Sequence, residues 1–153
     1  MHKHRLHLFA LFAPLLLLLS GCGMRFERDW KMAIEEHAAG NTTAVTGPWT
    51  GSWETETNGH TGDLRCLVER PDDLKDDTYR FRYHATWGKI FQGGYTADYD
   101  VKRSGGGGYS VKGSKDLGMF GEFSHDGTIR GEAFNATYES SGGDTGTFLM
   151  KRP

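Results

Sequence analysis

Two pairs of carboxylates are spaced so that they could carry out acid–base chemistry. Glu54 and Glu56 are two residues apart, as are Asp98 and Asp100, so each pair shares one face of an extended strand. Paired carboxylates act as acid and base only where their surroundings separate their pKa values. The residues between the paired carboxylates, Thr55 and Tyr99, indicate that the carboxylates take outward, solvated positions. No set of side chains in the sequence combines a nucleophile, a base and an orienting group. We therefore expect no catalytic residues and no enzyme activity.

Side chains that bind metals are scattered along the chain. Four histidines follow residue 21: His37, His60, His84 and His125. None has the His-x-His or Cys/His spacing that is typical of zinc sites. The acidic segment 71–77 offers oxygen ligands for calcium, but it lacks the glycine and spacing of an EF-hand loop, and Lys75 lies among its acids. The sequence predicts no metal and no cofactor, and a solvated hairpin at 71–77.

The charge of the chain argues against nucleic acid as a partner. The formal net charge of the whole sequence is -2. Lys3 and Arg5 are the only charged residues of segment 1–21, so the remainder carries -2 - 2 = -4. A mildly acidic chain without a basic patch lacks the electrostatic footprint of a nucleic-acid-binding protein.

The N-terminus has the layout of an export signal. Basic residues and histidines come first, residues 8–19 carry no charge, and Ser20 and Gly21 are small. The uncharged run is shorter than the roughly 20 apolar residues that cross a bilayer. We therefore interpret residues 1–21 as a signal peptide and not as a transmembrane helix.

The end of this segment, Leu19-Ser20-Gly21-Cys22, resembles the lipobox of bacterial lipoproteins at every position. The resemblance implies that Cys22 receives a diacylglyceryl group, that the signal is cut before it, and that the new amino terminus is acylated, for example with palmitate. One acyl chain anchors weakly, so stable attachment takes two or more. The implied location is the cell membrane or outer membrane of a bacterium. Gly23, where enteric members retained at the inner membrane have Asp, favours the outer membrane.

The second cysteine has a different interpretation. With Cys22 carrying lipid, Cys66 has no partner for a disulfide. It alternates with Leu64 and Val68 in an apparent strand, and a free cysteine at such a position packs as a small hydrophobic side chain. The sequence predicts a buried, inert thiol.

Residues 24–38 predict a short amphipathic helix, which Gly40 would end. Its apolar positions recur at helical spacing: Phe26, Trp30, Ala33, Ile34 and His37. Such a helix lies either on the membrane surface or against the folded domain, and the acids on its polar face favour the domain. Together with a polar linker at 41–46, it makes up segment 22–46.

From residue 47 to residue 153 the apolar period changes to two, which is typical of antiparallel strands with one buried face. Predicted strands cover 49–54, 64–69, 79–85, 95–102, 109–115, 119–124, 128–138 and 145–151. Asp126-Gly127 is the strongest hairpin signal. The phase changes near Phe134, which we attribute to the helix covering the outer face there, with a β-bulge as the alternative. The fold class is mainly β, an eight-stranded antiparallel meander that closes into a barrel.

The first predicted strand carries two Gly-x-Trp sequences, ending at Trp49 and at Trp53. They resemble the opening of lipocalin-like and avidin-like barrels, the calycins. That resemblance implies a tryptophan that closes one end of the barrel and an arginine near the last strand that stacks on it. Arg152 has the position for this role, and a cation over an aromatic ring has a physical rationale.

Two functions for the barrel stay open. One is the binding of a small apolar ligand, since an eight-stranded barrel can hold one. The other is an interaction or scaffold role toward another envelope protein, with a barrel filled by its own side chains. The inward aromatic residues could either line a cavity or fill it: Phe81, Tyr83, Tyr99, Phe123 and Phe148.

Overall fold

The computed structural model describes residues 12–88 and 90–153, with side chains from residue 23 onward. Most of the predicted signal peptide and the Cys22 side chain therefore lie outside the described part. The described elements are α1 (Phe12–Ala38), β1 (Gly47–Thr55), β2 (Thr61–Glu69), β3 (Thr78–Trp87), β4 (Phe91–Ser104), β5 (Gly108–Asp116), a 3-10 turn (Gly118–Phe120), β6 (Glu122–Arg130), β7 (Ala133–Ser140) and β8 (Thr145–Lys151). The chain divides into two compact units, one ending at Met32 and one running from Ala33 to Pro153.

Helix α1 is longer than the predicted helix 24–38, because it continues back to Phe12. Leucine is a strong helix former, and Pro14 lies in the first turn, where its missing N–H is not needed. The predicted end is confirmed at Gly40, which has a φ of 77°. Gly40 N donates to His37 O and Asn41 N to Glu36 O, which is the Schellman arrangement.

Within the described residues, no helical stretch combines the length and the apolar character that crossing a bilayer requires.

The eight strands form a closed barrel, in which each strand pairs with the next and β8 pairs back to β1. All eight pairings are antiparallel, and Trp53 in β1 lies opposite Gly62 in β2 and Phe148 in β8. Each strand therefore has a neighbour on both sides, although β4 and β5 pair only over 100–104 and 108–112. The predicted mainly β, eight-stranded barrel with an N-terminal helix is confirmed, and its architecture is compatible with a calycin-like barrel.

The predicted boundaries of the sixth and seventh strands are wrong. Strand β6 runs without interruption through Asp126-Gly127, the predicted hairpin, and pairs there with Thr137 and Ala136 of β7. Gly127 is not a turn residue. It lies in the strand at a place where a side chain would be crowded, since a Cβ on residue 127 would lie 3.0 Å from the Ala136 Cβ. The turn is at Gly131, which has a φ of 55°.

This turn also explains the change of phase near Phe134. Phe134 is the second residue of β7 and is fully buried, and Ala136 and Tyr138 follow on the same face. Neither a bulge nor cover by the helix is needed. The predicted strand 119–124 begins instead at Glu122, because Gly118–Phe120 form the 3-10 turn.

The alternation of strand directions gives the barrel two ends. The Trp49 end carries the loops 70–77, 105–107 and 131–132, together with the linker before β1. The Trp53 end carries the loops 56–60, 117–121 and 141–144, together with Gly88 and Ile90 between β3 and β4.

Candidate functional site

The Trp49 end is closed by a tryptophan and an arginine. Trp49 has no exposed surface, and its Nε1 donates to Val45 O at 3.0 Å. The Arg152 guanidinium lies 3.8 Å from the Trp49 ring centroid and donates to Pro48 O at 3.1 Å and to Thr43 O at 2.8 Å. Burial lowers the pKa of Arg152 to about 10, so the side chain remains charged at neutral pH. The structure thus brings together the two residues that the calycin resemblance pairs.

Trp53, the other predicted closing residue, lies at the opposite end of β1. Its side chain is half-buried, and its Nε1 donates to Thr86 O at 3.2 Å. Gly62 on β2 permits this position, since a Cβ there would lie 2.8 Å from Trp53 Nε1. Trp53 therefore covers part of the barrel mouth and has no part in the contact of Trp49 with Arg152.

Between the two ends, aromatic rings pack against one another in the barrel interior. The ring centroid of Phe81 lies 5.1 Å from that of Tyr99 and 5.8 Å from that of Phe134. Phe134 in turn meets Trp49 edge-on at 5.7 Å. Aromatic pairs at these separations are in favourable contact. The half of the interior nearest Trp49 is therefore filled by side chains.

The half nearest the Trp53 end is packed in the same way. The Phe148 ring centroid lies 5.4 Å from those of Tyr83 and Tyr138, and Tyr138 lies 5.8 Å from Phe123. Phe123 is half-buried, at the mouth. The five aromatic residues that the sequence offers as ligand-lining thus face inward, where their rings contact one another or neighbouring rings.

One polar group lies inside this aromatic interior. His125 on β6 is 4% exposed, and its Nε2 and Nδ1 lie 2.8 Å and 2.7 Å from the hydroxyl oxygens of Tyr95 and Tyr99. Burial lowers the pKa of His125 to about 4. A neutral imidazole has one donor and one acceptor nitrogen, so one tyrosine donates and the other accepts. Both ring nitrogens are satisfied by the protein itself.

The sequence reasoning missed His125. The misplaced hairpin at Asp126-Gly127 put this histidine at the end of a strand, beside a turn. The alternation of Phe123, His125, Gly127 and Ile129 would have identified one continuous strand with the histidine on its inner face.

A second polar cluster ties two loops together at the Trp53 end. The Asp144 Oδ1 accepts hydrogen bonds from Thr55 and Thr57, each at 2.6 Å, and its Oδ2 accepts one from Tyr138 at 3.3 Å. Burial raises the pKa of Asp144, but these hydrogen bonds outweigh it and the pKa is lowered. Asp144 is therefore a charged carboxylate that holds the loops in place.

The buried thiol of Cys66 has no exposed surface. Burial raises the pKa of Cys66 well above its ordinary value, so the thiol stays protonated at neutral pH. A protonated, enclosed thiol is neither a nucleophile nor a metal ligand. The structure places this residue as the sequence predicts, in the core.

The two predicted carboxylate pairs lie on the outer face of the barrel, and all four side chains are exposed. Asp98 forms an ion pair with Arg80 at 2.9 Å, and Asp100 accepts a hydrogen bond from Thr78 at 3.2 Å. Exposed carboxylates with such partners are surface groups. Among the described residues, no three histidine, cysteine, aspartate or glutamate side chains are grouped as a metal would require.

Neither a known protein family nor a curated protein matches the chain.

Proposed function

We propose that the chain is a lipid-anchored protein of the bacterial cell envelope, and that its barrel acts through its surface as an interaction protein. Leu19-Ser20-Gly21-Cys22 supports the anchor through its resemblance to a lipobox. The anchor places the barrel at the cell membrane or outer membrane.

The observation that carries the interaction role is the packing of the interior. A barrel that transports a small apolar ligand needs empty space among its inward residues, whereas Tyr83 and Phe148 lie 5.4 Å apart between ring centroids, and Phe81 and Tyr99 lie 5.1 Å apart. Close-packed protein interiors leave few voids larger than a water molecule. This supports the scaffold alternative over the apolar-ligand alternative.

We also propose that the protein is not an enzyme. The buried titratable groups that could do chemistry are used structurally: His125 is neutral and bonded to two tyrosines, and Cys66 is protonated. The charged Asp144 is occupied by hydrogen bonds from three side chains.

The anchor is tested by metabolic labelling with an alkyne analogue of palmitate in the expressing bacterium. The wild-type protein incorporates the label and sediments with membranes, while Cys22→Ala loses both properties. Cys66→Ala is the matched control, since the chain has only these two cysteines, and it keeps the label. Label that persists in Cys22→Ala, or none in the wild type, would contradict the anchor.

The filled interior is tested with toluene as the probe. Deleting a large core ring leaves a cavity, and such apolar cavities stay dry and bind small aromatic molecules. We expect toluene to raise the melting temperature of Phe148→Ala and to leave that of the wild type unchanged. If the wild type is stabilised equally, the barrel has room for a ligand and the apolar-ligand function replaces the interaction role.

A further inference from the structure

The exposed apolar side chains of the barrel are concentrated at one end. Among the described residues of 33–153, six large apolar side chains are exposed, and five of them lie in or next to the β3–β4 and β5–β6 connections, both at the Trp53 end. These five are Trp87, Ile90, Phe91, Met119 and Phe120, and we call them the apolar rim. The sixth is Leu149, on the outer face of β8. Exposed apolar residues that cluster in this way mark interaction sites, whereas single ones do not.

Contacts on either side of each connection hold the rim residues. Trp87 and Phe91 stack across the β3–β4 hairpin with ring centroids 6.1 Å apart. In the β5–β6 connection, Gly118 N donates to the Asp116 carboxylate at 2.8 Å and Phe120 N donates to Leu117 O at 3.3 Å. These bonds fix the 3-10 turn that presents Met119, which is 92% exposed, and Phe120, which is 71% exposed. Side chains and turns that are already held by such contacts lose less conformational entropy on binding.

The other half of the same end is acidic. Strands β7, β8, β1 and β2 are neighbours in the barrel, and the segments 54–63 and 139–146 comprise their connections at this end together with the adjoining strand ends. The two segments contain five acids and no lysine or arginine: Glu54, Glu56, Asp63, Glu139 and Asp144. A depression of about 390 Å³ runs from these segments along β6 and β7, and its lining includes Glu56, Asp126 and Glu139. Asp126 forms an ion pair with Lys112 at 3.1 Å. Glu56 and Glu139 are therefore the acids that give the depression its negative charge.

This division of charge determines what the apolar rim accepts. An anionic membrane surface would meet five carboxylates beside the rim, and like charges brought together oppose association. A second copy docked rim to rim about a two-fold axis would bring two acidic halves into one interface. A protein surface that is apolar on one side and basic on the other satisfies both halves at once.

We propose that the Trp53 end docks a protein whose contact surface is apolar beside a cluster of lysines or arginines. The apolar rim buries the apolar part, and Glu56 and Glu139 accept a basic side chain in the depression between them. The proposal rests on the interaction role proposed above and adds the chemistry of the partner.

The test uses two synthetic amphipathic helical peptides with the same leucine face, one with lysines on its polar face and one with glutamates. Fluorescence anisotropy measures their binding to the full-length protein. We expect the lysine peptide to bind at least roughly tenfold more tightly than the glutamate peptide, and its affinity to fall as salt is raised.

Variants locate the binding. The double substitution Met119→Ser with Phe120→Ser should lower the affinity for the lysine peptide by roughly tenfold or more, because buried aromatic anchors carry much of the binding energy of an interface. Leu149→Ser is the matched control and should leave the affinity unchanged. Each variant is first shown to keep the melting temperature of the wild type.

The charge contribution has its own pair of variants. The double substitution Glu56→Gln with Glu139→Gln should lower the affinity for the lysine peptide severalfold and make that affinity less dependent on salt. The control pair Asp72→Asn with Asp77→Asn removes two exposed acids from the loop 70–77 at the Trp49 end and should have no effect.

Several results would overturn the proposal. Equal binding of the two peptides, or equal loss in the Leu149→Ser control, would show that the rim and its charges do not select the partner. Rim-dependent binding to phosphatidylglycerol vesicles would make a membrane the occupant, and rim-dependent self-association would make it a second copy. These outcomes leave the toluene experiment untouched, so failure of the docking chemistry is distinguishable from failure of the filled barrel.

Discussion

Replacing Arg152 with alanine removes the closure of the Trp49 end. The substitution deletes a cation 3.8 Å from the Trp49 ring and two hydrogen bonds to the backbone carbonyls of Pro48 and Thr43. A desolvated cation–π contact contributes about 2 kcal/mol and a hydrogen bond about 1 kcal/mol. The alanine variant also avoids the desolvation cost of a partly buried charge, which offsets some of this loss. We expect Arg152→Ala to lower the free energy of unfolding by about 3 kcal/mol.

The assay is urea unfolding followed by tryptophan fluorescence. With a slope of roughly 1.5 kcal/mol per molar urea, the midpoint should fall by about 2 M. Arg103→Ala is the matched control, because Arg103 is exposed and lies 5.6 Å from the Tyr109 ring centroid. It should lower the free energy of unfolding by less than about 0.5 kcal/mol. Equal losses in the two variants would refute the role assigned to the contact of Arg152 with Trp49.

Three further predictions concern the barrel interior. His125 binds a proton more weakly in the folded protein, with a pKa of about 4, than in the unfolded chain, with an ordinary pKa of 6.5. The free energy of unfolding should therefore fall by about 3 kcal/mol as the pH drops from about 6.5 to about 4, and an NMR titration of the ring should give the low pKa. Gly113→Ala places a Cβ 2.5 Å from the Tyr99 ring and should destabilise by about 1–3 kcal/mol in urea, whereas Gly105→Ala, with open space around it, should not. Tyr95→Phe leaves one His125 nitrogen without its hydrogen-bond partner, and should lower the free energy of unfolding in urea by about 1–3 kcal/mol.

The strand pattern was predictable wherever the alternation of apolar and polar residues was regular. In β3, the buried Phe81 and Tyr83 alternate with the half-buried Arg80 and Arg82, and burial of one face specifies the register. The errors arose at glycines. Asp-Gly signals a hairpin only when the glycine adopts a positive φ, whereas Gly127 lies in a strand and is small because Ala136 and Phe134 approach it.

The parts of the site were predictable to different degrees. The pairing of Trp49 with Arg152 followed from resemblance, because nothing local in the sequence brings together residues that lie more than a hundred positions apart. The apolar rim could not be predicted from hydrophobicity, since Trp87 and Phe120 have the side chains of core residues. Only the position of the turns places them outside the barrel.

The filled interior is tested most directly by aromatic NMR of the isotope-labelled protein, with and without saturating dodecanoic acid. We expect nuclear Overhauser contacts between the rings of Tyr83, Phe148 and His125, which lie 5.4–6.0 Å apart between centroids, and no change in their chemical shifts when the acid is added. Contacts between the acid and these rings, or the loss of the contacts between the rings, would contradict it.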